Sequence, residues 1–130
     1  MTVVDASAMI ELLLLTSAAR RIGNRLFASG QTLHAPHLID LEVAQVLRRY
    51  SLADKLAPSR ALAAIEDFAA LPLTRYPHHL FLPRIWELRL NVTAYDAAYL
   101  ALAEALDAPL ITCDAALARA KGHRARVQLI

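Results

Sequence analysis

The sequence predicts an α/β protein, a parallel sheet with helices on both of its faces. Three observations carry that prediction. Short β-favouring runs alternate with longer apolar helical patterns along the whole chain. The chain opens on Thr2-Val3-Val4, a strand-like run that leads directly into the carboxylate of Asp5. Turn and cap residues, among them Ser29-Gly30, Pro36, Pro58-Ser59, Pro77 and Gly122, fall between the periodic segments.

Each element follows in order. Ala6 to Leu15 reads as a helix, broken near Thr16-Ser17. Ser17 is placed to cap a second helix, Ala18 to Ala28, closed by Ser29-Gly30. Gln31 to Ala35 is a short strand. Pro36 restarts a helix that runs to about Leu52, with Leu38, Leu41, Val43, Ala44, Val46 and Leu47 giving a broad apolar face. Pro58-Ser59 begins the helix Arg60 to Ala70, and Leu71 to Arg75 is a candidate strand stopped at Pro77. Pro77-His78-His79 leads into a helix ending near Leu90, and Asn91-Val92-Thr93 connects it to a regular Ala- and Leu-rich helix, Tyr95 to Leu106. That helix reads as central and tightly packed. Ala108 to Thr112 is a strand, Ala115 to Ala120 a short helix ended by Gly122, and Arg126 to Ile130 the last strand.

The 130 residues suit a single domain, 1–130, with one core. A hydrophobic share of 57% and a mean hydropathy of +0.36 call for a thoroughly buried sheet, or for surfaces covered by a second subunit or an apolar partner. The net charge is only +2 with a pI near 9.0, a balance that permits nucleic-acid binding without showing it. Cys113 is the one cysteine, which excludes an intrachain disulfide and a thiolate zinc cluster; a reducing, cytoplasmic compartment is the simplest inference. The first residues lack a basic start and carry Asp5 and Glu11, against an export signal. Leu12–Leu15 is far shorter than the roughly 20 apolar residues that cross a bilayer.

Most of the 12 acidic residues have bland explanations. Glu11, Glu66, Asp67, Glu87 and Glu104 read as solvated helix faces, Asp54 and Asp107 flank turns, and Asp40 suits a helix dipole. Four others are placed differently. Asp5 ends the first strand and Asp114 follows Leu110–Thr112. If those strands are neighbours, both carboxylates overhang the strand ends where open parallel sheets bind ligands. Glu42 and Asp96 lie in the early turns of helices that start from the same edge. Like charges that close raise each other's pKa, and they stay ionised together only beside a cation. Hard oxygen donors select Mg²⁺ or Mn²⁺. Singly, each acid has a plainer reading: Thr93 and Asp96 as a capping pair, Asp114 as a cap, Glu42 as a surface acid. Asp5 is the hardest to explain away, because an unpaired acid ending a buried strand costs free energy. The set of four is the signal.

Val-Val-Asp-Ala-Ser-Ala at 3–8, Leu-Glu-Val at 41–43, Thr-Ala-Tyr-Asp-Ala-Ala-Tyr-Leu-Ala-Leu-Ala at 93–103 and Leu-Ile-Thr-Cys-Asp at 110–114 resemble, in order and spacing, the four acidic motifs of PIN domains. The compact length resembles the VapC toxins of toxin–antitoxin pairs. The resemblance implies a three-layer α/β/α fold around a central parallel sheet and a Mg²⁺-dependent endoribonuclease that hydrolyses phosphodiester bonds in RNA. It puts Asp5, Glu42, Asp96 and Asp114 on the catalytic metal-site acids, with Mn²⁺ as a substitute ion, and Ser7 and Thr112 on hydroxyls that orient them. It also implies a homodimer and a cognate antitoxin whose tail lies along the first helices and blocks the metal site. One departure is that no Asp or Glu follows Asp114, where many relatives carry a further acid, so a firmly held second metal lacks that ligand.

Substrate phosphates need cations. Arg20, Arg21 and Arg25 cluster on one helix, and Arg119, Lys121, Arg124 and Arg126 cluster near the C-terminus; an RNA track is the functional reading and solvated surface the plain one. His34, His37, His78 and His79 lack a cysteine partner and read as packing or surface residues rather than zinc ligands. Trp86 reads as core or subunit interface, and Tyr95 and Tyr99, one turn apart, as core. Two other classes fit the same residues: a catalytically degenerate PIN-like module that binds RNA or protein, and a small Mg²⁺-dependent phosphatase or phospho-acceptor domain.

Overall fold

Val3 and Val4 are fully buried in β1 (Thr2–Val4), which sits in the middle of a five-stranded sheet. A strand covered on both faces needs its buried polar groups paired: Val3 and Val4 are apolar, and the Thr2 hydroxyl donates to Gln31 at 2.9 Å. In the computed structural model, which describes residues 1–130, β2 (Leu33–Pro36), β3 (Leu73–Tyr76), β4 (Leu110–Thr112) and β5 (Val127–Leu129) complete the order β3-β2-β1-β4-β5. All four pairings are parallel, with Val3 opposite His34 on one side and Leu110 on the other. β1 and β4 are therefore neighbours, the condition on which the meeting of Asp5 and Asp114 depends.

Helices cover both sides. α1 (Ala6–Leu13) packs against α2 (Ala19–Leu26), α3 (Ile39–Leu52) and α4 (Pro58–Ala70). A separate group, α5 (Leu82–Glu87) and α6 (Ala94–Leu106), packs together with a short 3₁₀ turn at His78–Phe81, and α6 lies on β1, β2 and β4. Ala97 to Ala103 are all buried; the alanines among them let α6 lie close against its neighbours, and Tyr99, Leu100 and Leu102 fill the core. α7 (Ala115–Ala118) sits beside β4 and β5. The three-layer α/β/α architecture follows.

Local signals moved several boundaries. α2 has no side-chain cap at Ala18, and the capping expected of Ser17 does not occur. Pro36 takes the last position of β2 rather than opening a helix; α3 begins three residues later, at Ile39. Pro58 itself is the first residue of α4, where its missing N–H costs nothing. The segment after Pro77 divides into the 3₁₀ turn and a six-residue helix instead of one helix to Leu90. Asp54 and Asp107 do end turns, with φ of 56° and 46°.

Three side chains depart from their expected settings. Tyr95 is 67% exposed and so not core; Trp86, 68% exposed, is not core either, which leaves the subunit-interface half of its expectation open, and the Arg89 guanidinium lies 4.9 Å from its ring centroid. Glu104 is not a solvated acid, since its side chain is only 7% exposed. Arg84 reaches it from α5 with Nε to Oε2 at 2.8 Å and Nη2 to Oε1 at 3.0 Å, while the Arg124 backbone N–H donates to Oε1 at 2.7 Å. Arg84 also donates to Glu87 and to the Gly122 carbonyl. These donors hold the Glu104 carboxyl below its usual range. His34, buried in β2, is satisfied at both ring nitrogens by Thr32 and the Tyr76 hydroxyl, a packing role as expected.

Arg84→Ala leaves a buried carboxylate without its main donor, and breaking such a pair costs about 2 kcal/mol at this partly exposed arginine. Urea denaturation is expected to show that loss, with Glu104→Gln in the same chain recovering part of it. An unchanged midpoint in Arg84→Ala would contradict the role assigned to this ion pair.

Candidate metal centre

Asp5 leaves β1 in extended conformation and becomes the N-cap of α1, so one residue closes a strand and opens a helix. Asp5 is only 6% exposed, and donors surround its carboxylate. The Ala8 N–H donates to Oδ1 at 2.9 Å, and the Thr112 hydroxyl donates to Oδ2 at 2.7 Å. The Ser7 hydroxyl lies 2.8 and 3.0 Å from the two oxygens. Both hydroxyls also accept from the chain after β4: Ser7 Oγ from the Cys113 N–H and Thr112 Oγ1 from the Asp114 N–H, each at 2.9 Å. The ends of β1 and β4 are thus tied by side chains as well as by the Asp5 N–H to Ile111 carbonyl bond of 3.2 Å.

The other three acids converge on this corner. Asp114 is exposed and caps α7, its Oδ1 accepting from Ala116 at 2.7 Å and Leu117 at 3.3 Å. Thr93 caps α6 by accepting from the Asp96 N–H at 3.2 Å, so the capping reading holds for Thr93. The half-buried Asp96 carboxylate nonetheless feels the charge of Asp114. Glu42, near the start of α3, is half-buried, and its Oε1 is buried with no hydrogen-bond partner. It feels the charges of Asp5 and Asp96, as Asp5 feels that of Asp114. Each of the four is thus linked by charge to another of the set, Asp114 bearing on Asp5 and Asp96, and Asp5 and Asp96 on Glu42.

Burial is the first cause of every upward shift here. It raises Asp5 against the lowering by Ala8, Thr112 and Ser7, and it raises Asp96. It pushes Glu42 up to about 7, with the Tyr99 hydroxyl opposing and the Asp5 and Asp96 charges adding. No three His, Cys, Asp or Glu side chains surround a common point at coordinating distance, a spread that like charges favour. The donor chemistry still fits a hard divalent cation: every site group offers oxygen, and the orphaned Glu42 oxygen has no protein donor to displace.

Of the expected cations, Arg20, Arg21 and Arg25 are exposed on α2. Burial and the Asp5 and Glu11 charges push the Cys113 thiol up, and the Arg21 charge opposes them. Arg25 instead donates to Gln128. The C-terminal cluster is partly occupied: Arg126 pairs with Asp107 at 2.8 Å, and Arg124 stands beside Glu104. Sequence reasoning missed Arg89. It lines an open groove of about 540 Å³ that runs past Asn91 and Thr93 to Asp96 and Ala116. It missed the polar end of Tyr99 as well, whose buried hydroxyl has no hydrogen-bond partner and faces Glu42.

With the fold and this corner in view, comparison with known proteins is specific. The family model of the PIN domain matches residues 2–123. The chain therefore belongs to the PIN-domain family. It is 41% identical to Ribonuclease VapC12 of Mycobacterium tuberculosis over 130 residues, covering 100% of this chain and 99% of that one. It is 44% identical to VapC ribonuclease Mb0985 of Mycobacterium bovis over 114 residues, 88% of this chain and 86% of that one. Within the family it stands with the VapC-type ribonucleases. Two solved structures share the fold at low identity. One is Mycobacterium tuberculosis VapC20, with a TM-score of 0.68, 16% identity and coverage of 91% and 93%. The other is PAE2754 of Pyrobaculum aerophilum, at 0.69, 22%, 97% and 81%.

The raised acids give the metal-free protein a pH signature. A group that binds its proton more tightly when folded stabilises the fold while protonated. For Glu42 that stability is present below 4.5 and is lost as pH rises toward about 7. Thermal unfolding in EDTA is expected to show the melting temperature falling across that window. Glu42→Gln should flatten the fall and add about 1–2 kcal/mol at pH 8, a figure reduced for partial exposure. A variant with the wild-type pH slope would contradict the assignment.

Proposed function

We propose that the chain is the toxin of a toxin–antitoxin pair, an endoribonuclease that hydrolyses phosphodiester bonds in RNA with a divalent cation held by Asp5, Glu42, Asp96 and Asp114. Mg²⁺ is the expected ion and Mn²⁺ a working substitute. The observation that carries the reading is the charge-linked set of four carboxylates at the strand ends, in a chain of the VapC type. Bound there, the cation supplies Lewis acidity toward phosphate oxygens and acidifies water.

The residues divide the remaining work. Asp5 is the fixed point, since its donors leave it little freedom. Ser7 and Thr112 orient it, as the surroundings of metal sites do. Asp96 or Asp114 accepts the proton of the attacking water; Asp114 is the more exposed of the two. The strand would pass between Arg21 on one side and the Arg89 groove on the other, with Arg20 and Arg25 adding to the field on α2.

Exposed apolar side chains support covered surfaces. Leu15 is 77% exposed, Leu41 76% and Leu90 85%, more than a lone monomer favours. A homodimer and a cognate antitoxin lying over the first helices fit that exposure. No helix is long and apolar enough to cross a membrane.

Purified protein is expected to cut single-stranded RNA with Mg²⁺ or Mn²⁺, to stop with EDTA, and to leave phosphomonoesters untouched. Asp5→Asn should lower the rate by about 100-fold or more while the circular dichroism spectrum stays native. Wild-type cleavage by folded Asp5→Asn would refute the site, and metal uptake without RNA cleavage would select the degenerate binding module instead.

A further inference from the structure

Tyr99 lies in the middle of α6 and is 1% exposed. Its ring is core, as the sequence pattern suggests, but its hydroxyl is not in apolar company. The groups that bear on that oxygen include the carboxylates of Glu42 and Asp5 and the Ala6 N–H, none of them within hydrogen-bonding geometry. An N–H neighbour can only give a proton, and ionised carboxylates can only take one. The phenol proton is therefore left for an acid, and Glu42 is the acid with an unused buried oxygen. Tyr99 Oη and Glu42 Oε1 are both buried without a hydrogen-bond partner, in a core where nearly all such atoms are paired. An orphaned donor facing an orphaned acceptor needs an explanation. A phenylalanine would fill the same ring volume without burying a polar atom.

We propose that Tyr99 is a positioning residue of the carboxylate site: its hydroxyl donates to ionised Glu42 and fixes which Glu42 oxygen is turned toward the other acids. The assignment rests on the four-carboxylate reading above. It explains why a fully buried residue on the sheet-facing helix carries a hydroxyl. It also gives Glu42, the site acid with a buried oxygen that has no partner, the kind of outer support that Ser7 and Thr112 give Asp5. A structural hydroxyl and a positioning hydroxyl predict opposite things of the same substitution. Removing an orphaned buried hydroxyl should leave the metal-free fold as stable as before or more so. Removing the support of a ligand should weaken the metal.

The test uses the whole chain and Mn²⁺ as the probe, with free Mn²⁺ counted by electron paramagnetic resonance. Thermal unfolding in EDTA runs alongside. Tyr99→Phe is expected to melt at or above the wild-type temperature and to bind Mn²⁺ about 10-fold or more weakly. In a Glu42→Gln background, adding Tyr99→Phe should change the Mn²⁺ affinity no further, because the hydroxyl acts through Glu42. Equal Mn²⁺ affinity in wild type and Tyr99→Phe overturns the proposal, as do fully additive losses in the double variant. Wild-type protein that takes up no Mn²⁺ overturns the four-carboxylate reading, and this assignment with it, so the two failures are distinguishable.

Discussion

Burial of the Asp5 carboxylate is the constraint on which the rest of the structure depends. A charged group at the end of a central strand is tolerated only when donors replace water. Here they come from three places: the first turn of α1, the Ser7 side chain and the last residue of β4. Because Ser7 and Thr112 also take N–H groups from Cys113 and Asp114, the same knot sets the path of the chain after β4. Satisfying one carboxylate thus fixes the strand pair, the start of two helices and the position of a second acid.

The convergence of the other acids runs against electrostatics. Burial raises the proton affinity of Asp5, Glu42 and Asp96, most visibly at Glu42, and the charges of neighbouring acids add to it. A fold could avoid this by placing asparagine or glutamine at any of the four positions. Keeping all four in one corner makes structural sense if the site is paired with a cation. The repulsion would then become binding energy for a hard ion. The opposite solution appears on the far end of α6, where Glu104 is buried against Arg84 and the charge is settled within the protein. The two corners show why burial alone does not mark a functional acid: what matters is whether a protein cation answers it.

The alternation of strands and helices was legible because the strands are short apolar runs and α6 is an unbroken Ala- and Leu-rich helix. Asp5 and Asp114 were legible from their positions just after strands, which local sequence reports well. Glu42 and Asp96 were legible only as members of a set, since each sits near a helix start where acids are ordinary. What could not be read depended on distant partners. Glu104 looked solvated because Arg84, its partner, lies 20 residues away on another helix. Of the two settings read for Trp86, core and subunit interface, the core one fell because α5 is a six-residue surface helix with Ile85 as its buried residue, which its apolar neighbours in sequence do not reveal. Tyr99 was correctly placed in the core, but where its hydroxyl ended was decided by how α3 and α1 pack, which no local pattern records.

The most direct test is to locate the cation itself. Crystals grown with Mn²⁺, with data collected at an energy where manganese scatters anomalously, should show a peak between the carboxylates of Asp5, Glu42, Asp96 and Asp114, with oxygen ligands at about 2.1 Å. Well-ordered crystals with no peak in that corner, or with Mn²⁺ held only elsewhere, would contradict the account.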